Sequence, residues 1–237
     1  MTWLWRICFS SLCLLPAWCG SVKGNVNLTD SRDPGVRHHD FKGVVVWLEP
    51  AGGDPPHRIP PRHYTMEQKD KHFKPHVLAI PVGATVDFPN NDLIFHNVFS
   101  NYDGQKFDVN LYRPNTSRSE VFKRPGIVRV FCNIHPTMSA VIAVLDTPWF
   151  DVSKASGDFE IRDVPPGNYT LRIFHERATE ETLNALVQPV GVEKSATLVL
   201  KSIHISETGY IPAPHKNKWD KDYPPAIDDQ PAYRPNP

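Results

Sequence analysis

The chain has 237 residues, with 26 basic and 26 acidic side chains, 24 prolines, 13 glycines and 4 cysteines. Balanced charge excludes the one-signed field that nucleic acid or an anionic membrane surface calls for. Proline and glycine at this level favour short strands joined by turns over long helices.

The chain opens with one basic residue, Arg6, then an apolar run over 7–15, then Pro16-Ala17-Trp18-Cys19-Gly20. That is the order of a secretory signal, with Ala17 and Cys19 as the small residues before cleavage, so 1–19 reads as a signal peptide. The run is too short to span a bilayer. Trp18 argues against a lipid-modified Cys19. A periplasmic or secreted location follows, with no membrane insertion after cleavage. Removal of 1–19 takes Cys8, Cys13 and Cys19 and leaves Cys132 alone. A lone thiol in an oxidising compartment is a liability unless it is buried or held by a metal.

Strand signals then dominate: "VVVWLEP" at 44–50, "HVLAIPVGATVDF" at 76–88, "NVFS" at 97–100, "GIVRVFC" at 126–132 and "SAVIAVLD" at 139–146. They are rich in β-branched and aromatic residues and most are bounded by Pro, Gly or Asn-Asn-Asp, so the chain reads as all-β, a sandwich of short strands. Residues 51–63 are a Pro/Gly-rich loop. Helical promise is confined to "TMEQKDKHF" at 65–73 and "RATEETLNALVQ" at 177–188. From Thr147 a second, small β-domain is expected over 147–205. There Phe159, Ile161, Tyr169, Leu171 and Ile173 share one face of two strands joined by Pro-Pro-Gly. The proline-laden 206–237 has no periodicity and is expected to be extended or disordered.

The chemistry concentrates in "VFCNIHPTMSA" at 130–140. Cys132, His135 and Met138 put a soft thiolate, a borderline imidazole and a soft thioether on one loop between two strands. This donor set suits copper better than calcium, magnesium or manganese. A second histidine from elsewhere is required, and "NNDLIFHNVFS" offers His96. Cys132, His96 and His135 would form a trigonal plane with Met138 as a long axial ligand. Asn97 is placed to hydrogen-bond across to the backbone or sulfur of the Cys132 loop. His72, His76, His38, His39, His57 and His63 lack metal-ligand spacing and read as surface groups, and His175 as a packed residue.

The stretches "FKPHVLAIPVGATVDFPNNDLIFHNVFS" and "KRPGIVRVFCNIHPTMSAVIAV" resemble the cupredoxin signature over about residues 25–146, with the short Cys-x2-His-x2-Met loop of its amicyanin-like and methylamine-utilisation-like members. The resemblance implies a Greek-key β-sandwich with one mononuclear type 1 copper bound by His96, Cys132, His135 and Met138. It also implies electron exchange through the His135 edge with a periplasmic redox partner protein. The "G-x-F-x-I-x-x-V-P-P-G-x-Y-x-L" run resembles a transthyretin-like, carboxypeptidase-regulatory-like domain. A simple carrier needs no such appendage, so copper delivery or a structural adaptor role for the C-terminal part is the alternative. No enzyme is expected: the His-x-His pairs of multicopper oxidases, a zinc motif and a serine nucleophile elbow are all missing.

Overall fold

The computed structural model describes residues 19–31, 39–52, 62–101, 104–208 and 215–223. The expected signal segment, apart from Cys19, and most of the 51–63 loop lie outside these residues. The described chain is all-β apart from one six-residue helix. Its strands are β1 (Gly20–Thr29), β2 (Val45–Pro50), β3 (His63–Thr65), β4 (Glu67–Lys69), β5 (His72–Lys74), β6 (Val77–Pro81), β7 (Thr85–Pro89), β8 (Phe99–Ser100) and β9 (Phe107–Asp108). There follow β10 (Ser117–Val121), β11 (Gly126–Phe131), β12 (Ser139–Leu145), β13 (Phe150–Val152), β14 (Asp158–Val164), β15 (Gly167–Phe174), helix α1 (Glu180–Ala185), β16 (Gln188–Val192), β17 (Thr197–Val199) and β18 (Ile203–Ser206). Among the described residues no helix is long and apolar enough to cross a membrane.

The strands build four stacked sheets and one hairpin. The first outer sheet runs β10-β7-β3, the next β6-β12-β11-β8-β9, the next β13-β2-β15-β16, and the last has β1 between β14 on one side and β17 and β18 on the other. Three apolar cores separate these layers. Phe88, Val86, Val130, Ile142 and Val144 fill the first; Val45, Val77, Val141, Ala143 and Leu145 the second; Leu48, Phe159, Ile161, Leu171 and Ile205 the third. Strand β12 shows why the stack forms. Its even-numbered residues Ala140, Ile142 and Val144 face one core and its odd-numbered Val141, Ala143 and Leu145 the next, so "SAVIAVLD" is a continuous apolar run instead of an alternating one. Strand β2 does the same with Val46 and Leu48 on one side and Val45 on the other.

Pairing crosses the boundary expected at residue 146. β1 pairs antiparallel with β14 and parallel with β17 and β18, while β2 pairs with β13 and β15. Strands β1 and β2 thus share sheets with β13–β18, and β3–β12 lie between them in sequence. The physical reason is that β1 is the central strand of the last sheet; without it β14, β17 and β18 have no common neighbour. The five residues expected on one face do share a core, but Pro165 and Pro166 carry the chain from one sheet to the other, so β14 and β15 are not partners of each other.

Two further expectations change. Residues 65–73 are no helix: β4 and β5 form a hairpin, with Gln68 paired to Phe73 and both buried. Burial of Met66, Gln68 and Phe73, with charged residues between, imposes a period of two and overrides the helical propensity of Glu, Gln and Lys. The second stretch does form a short helix, α1, whose N-cap Thr179 accepts a hydrogen bond from the backbone N–H of Thr182. In the tail, residues 215–223 fold against the body of the protein and are neither extended nor unpaired, as the contacts below show.

Candidate metal centre

His96 stands on the first core, fully buried. Its backbone is held on both sides by Tyr112, with His96 N–H donating to the Tyr112 carbonyl at 3.1 Å and Tyr112 N–H donating back at 2.9 Å. Tyr112 is itself fixed in the core, its hydroxyl donating to the Phe88 carbonyl at 2.9 Å and accepting from Gln68. The preceding loop is shaped by buried Asn90, which donates to the Ile94 carbonyl and accepts from the Asp92 N–H. That geometry carries Asp92 over the histidine ring, and its carboxylate meets His96 Nε2 at 2.8 Å.

Asp92 also reaches the β4–β5 hairpin, accepting from the N–H of Asp70 at 2.6 Å and of Lys71 at 3.0 Å. Both turn residues have positive φ, 57° and 56°, as a two-residue type I′ turn requires. Non-glycine residues pay for that conformation with about 1–2 kcal/mol each, and the two donors aimed at one carboxylate offset the strain. The carboxyl of Asp92 sits below its ordinary range: burial raises it, and the bonds from Lys71, His96 and Asp70 outweigh the burial.

Cys132 follows β11 and is fully buried; Met138, just before β12, is buried in the same core. The loop between them is closed by Cys132 N–H to the Met138 carbonyl at 3.2 Å and Met138 N–H to the His135 carbonyl at 3.1 Å. Its residues Pro136 and Thr137 are exposed, and His135 is half-buried. Nδ1 of His96 lies 3.7 Å from Cys132 Sγ and Nδ1 of His135 lies 3.6 Å from it. The two rings are 4.9 Å apart at 59°. Among the described residues these three form the one group of His, Cys, Asp and Glu whose donor atoms converge, all within 4.8 Å of one another.

The donor set fits a soft or borderline cation. Metal–nitrogen and metal–sulfur lengths of about 2.0 and 2.3 Å, at angles near 109–120°, put two donors roughly 3.5–3.7 Å apart. Asp92 keeps the His96 proton on Nε2, which turns the Nδ1 lone pair toward the sulfur. A thiol has one proton and so can satisfy one of two facing Nδ1 atoms. A cation among the three satisfies all of them.

Protonation points the same way. Burial lowers the pKa of His96 against the pull of Asp92, and burial with the neighbouring His96 takes His135 down to about 4. Both imidazoles are therefore neutral at pH 7, the form in which histidine can bind a metal. Burial pushes the Cys132 thiol up, while backbone N–H groups of Asn97, Ile134 and His135 favour the thiolate. Asn97 therefore reaches the sulfur through its backbone; its side chain turns away and donates to Asp108 at 2.7 Å.

Of the histidines read as surface groups, His72 caps its own turn at the Asp70 carbonyl and His76 bridges the Ser139 carbonyl and Glu176. His175 is packed as expected, against Glu207 at 2.5 Å. Sequence reasoning missed Asp92, which it read only as part of a turn. The signal was present as an acidic residue four positions before His96.

No family model matches the chain. Methylamine utilization protein MauL of Methylorubrum extorquens is 40% identical over 60 residues, which are 25% of this chain and 53% of that protein. The match thus spans about half the length of that relative. Among solved structures, a purple cupredoxin from Nitrosopumilus maritimus is 25% identical, covering 34% of this chain and 98% of that one with a TM-score of 0.32. A variant of amicyanin with Cu(I) is 19% identical, covering 35% and 82% with a TM-score of 0.34. A copper-containing nitrite reductase from Thermus scotoductus is 24% identical, covering 51% and 28% with a TM-score of 0.33. The described residues are all-β apart from α1, in keeping with a cupredoxin-like sandwich, and over part of its length the chain is similar to these proteins.

Proposed function

We propose that the chain is an exported protein that binds one copper ion through His96, Cys132 and His135, with Met138 as a fourth, weaker ligand, and passes electrons to or from a periplasmic redox partner. The observation that carries this reading is the meeting of two imidazole Nδ1 atoms at one buried sulfur, 3.6 and 3.7 Å away, with the outer nitrogen of His96 held by a carboxylate. Copper would supply a one-electron couple at this position.

The chain's own residues supply the rest. Asp92 fixes the His96 tautomer, Tyr112 fixes its backbone, and the N–H groups around Cys132 favour its thiolate once a cation offsets the burial. Met138 shares the apolar core with Cys132, which keeps water from the sulfur. His135 is the ligand closest to solvent, beside exposed Pro136 and Thr137, and Leu93 next to Asp92 is 90% exposed. Apolar groups at a half-buried ligand suit a short-lived docking contact with a redox partner. The paired layers 20–50 and 150–206 act here as a second sandwich that braces β6 and β12 of the copper-binding one.

The test is the visible and paramagnetic resonance spectrum after one equivalent of Cu(II). A strong thiolate-to-copper band with narrow hyperfine splitting is expected in the parent chain. Cys132→Ser should lose the band, and Met138→Leu should keep copper and raise the potential. A blue Cys132→Ser protein would refute the ligand assignment.

A further inference from the structure

Residues 215–223 touch the backbone that carries the thiol. The Tyr223 hydroxyl donates to the Cys132 carbonyl at 2.6 Å. The Lys218 N–H donates to Asn133 Oδ1 at 2.9 Å, and the Lys218 carbonyl accepts from Asn101 at 2.9 Å. The His215 ring lies on Phe131, the residue before the cysteine, with centroids 4.3 Å apart and planes at 32°.

The segment is preformed as well as attached. Asn217 closes a turn by accepting from the N–H groups of Trp219 and Lys221 and by its backbone bonds to Lys221 and Asp220. The turn brings its two ends together, His215 and Tyr223 meeting edge to face at 5.2 Å. A second line of contact runs through Lys218 Nζ, which donates to Asp108 at 2.8 Å. The same carboxylate accepts from the side chain of Asn97, whose backbone N–H is aimed at the Cys132 sulfur. The segment therefore reaches Cys132 by two routes: directly at its carbonyl, and through Asp108 and Asn97 toward its sulfur.

We propose that residues 215–223 are a strap built into the metal centre, with Tyr223 and Lys218 as positioning residues for Cys132 and Asn97, and that the strap slows departure of the bound ion. This rests on the copper reading above. The strap covers Cys132, Asn133 and Asn101, while Pro136 and Thr137 beside His135 stay exposed. The Tyr223 and Lys218 bonds hold the Cys132 backbone against movement away from His96 and His135, and such movement is one route by which the ion would be lost.

The experiment uses the full chain with Tyr223→Phe, which removes one hydroxyl, and Lys218→Met, which keeps the apolar stem. In the metal-free protein, hydrogen exchange of the 132–138 amides should rise about fivefold in each variant, equivalent to roughly 1 kcal/mol for one hydrogen bond, while β2 and β15 stay unchanged. Unchanged exchange at 132–138, or a rise of the same size throughout the molecule, overturns the strap. In the copper-loaded protein, transfer to a chelator should be about fivefold faster and the thiolate-to-copper band should shift; unchanged release and an unchanged band overturn the control of the ion. If no variant and no parent protein shows a thiolate band, the copper reading fails, and the exchange result still decides the strap.

Discussion

Replacing Asp92 by alanine removes one acceptor from three donors at once: the N–H of Asp70 at 2.6 Å, the N–H of Lys71 at 3.0 Å and the Nε2–H of His96 at 2.8 Å. A hydrogen bond to a charged group contributes about 1.5–3 kcal/mol. The carboxylate side chain is only 13% exposed, so solvent takes little of this. The three bonds share one anion and are not additive, which places the loss in the metal-free protein at about 2–4 kcal/mol. Removing the carboxylate partner of a ligand histidine typically weakens metal binding by about 10–100-fold. Asp92 has a lowered carboxyl pKa, so its contribution is complete above about pH 4 and is lost as pH falls through the lowered value; measurements at pH 7 see all of it. Urea unfolding gives the stability term and competition with a copper chelator gives the affinity term. Asp92→Asn separates geometry from charge, because the amide oxygen still accepts from the hairpin or the ring while the anion is gone. Copper affinity within threefold of the parent in Asp92→Ala would refute the role assigned to the carboxylate.

The contribution of His135 to the metal-free protein should fall as pH drops from about 6.5 to about 4 and level off below that, where loss of the Asp92 contribution takes over. His135 binds its proton near 6.5 when unfolded but only near 4 when folded, so the unfolded state holds more protons across that window. Urea midpoints in His135→Gln should vary less over the same range, and an equal slope would show that His135 is not the source. Phe88→Ala in the first core and Ile161→Ala in the third should cost about 3–5 and 2–5 kcal/mol respectively, both side chains being fully buried. Only the first truncation borders the core that holds Cys132 and Met138, so it alone should perturb the thiolate-to-copper band; a band shift of equal size in Ile161→Ala would contradict the layering of the cores.

What was legible in the sequence divides by the range of the interactions involved. Cys132, His135 and Met138 sit on one loop, and the strands on either side announce themselves by β-branched residues, so three of the candidate ligands could be named from spacing alone. His96 needed a donor count and a strand mouth. The Asp92 contact joins residues four apart, yet its second half, the grip on Asp70 and Lys71, depends on a hairpin whose Glu, Gln and Lys content favoured a helix. Burial of Gln68 beside Tyr112 decided otherwise. The pairing of β1 with β14, β17 and β18 spans most of the chain, and no local pattern tells a central strand of a distant sheet from an edge strand of a near one. Likewise the docking of 215–223 comes from contacts with Phe131, Cys132, Asn133 and Asn101, which lie far away in sequence and leave no mark on the composition of the segment.

Three elements far apart in sequence hold the donors in place before any ion is present. The hairpin acts on His96 through Asp92, Tyr112 acts on the His96 backbone, and the strap acts on Cys132 and, through Asp108, on Asn97. Two of them restrain His96, one at its ring and one at its backbone, and the third restrains Cys132. Such advance ordering suits electron transfer, where a site that changes little between oxidation states has the least to reorganise, and it disfavours delivery, where the ion must leave. The two roles therefore make opposite demands on the strap. A carrier is best served by Tyr223 and Lys218 staying in contact, whereas a delivery protein needs an acceptor that breaks those contacts before it can take the ion. Copper transfer to an apo-acceptor that is slow in the parent chain and faster in Tyr223→Phe would identify the contact that separates the two roles, and rapid transfer from the parent chain would show that the strap holds nothing back.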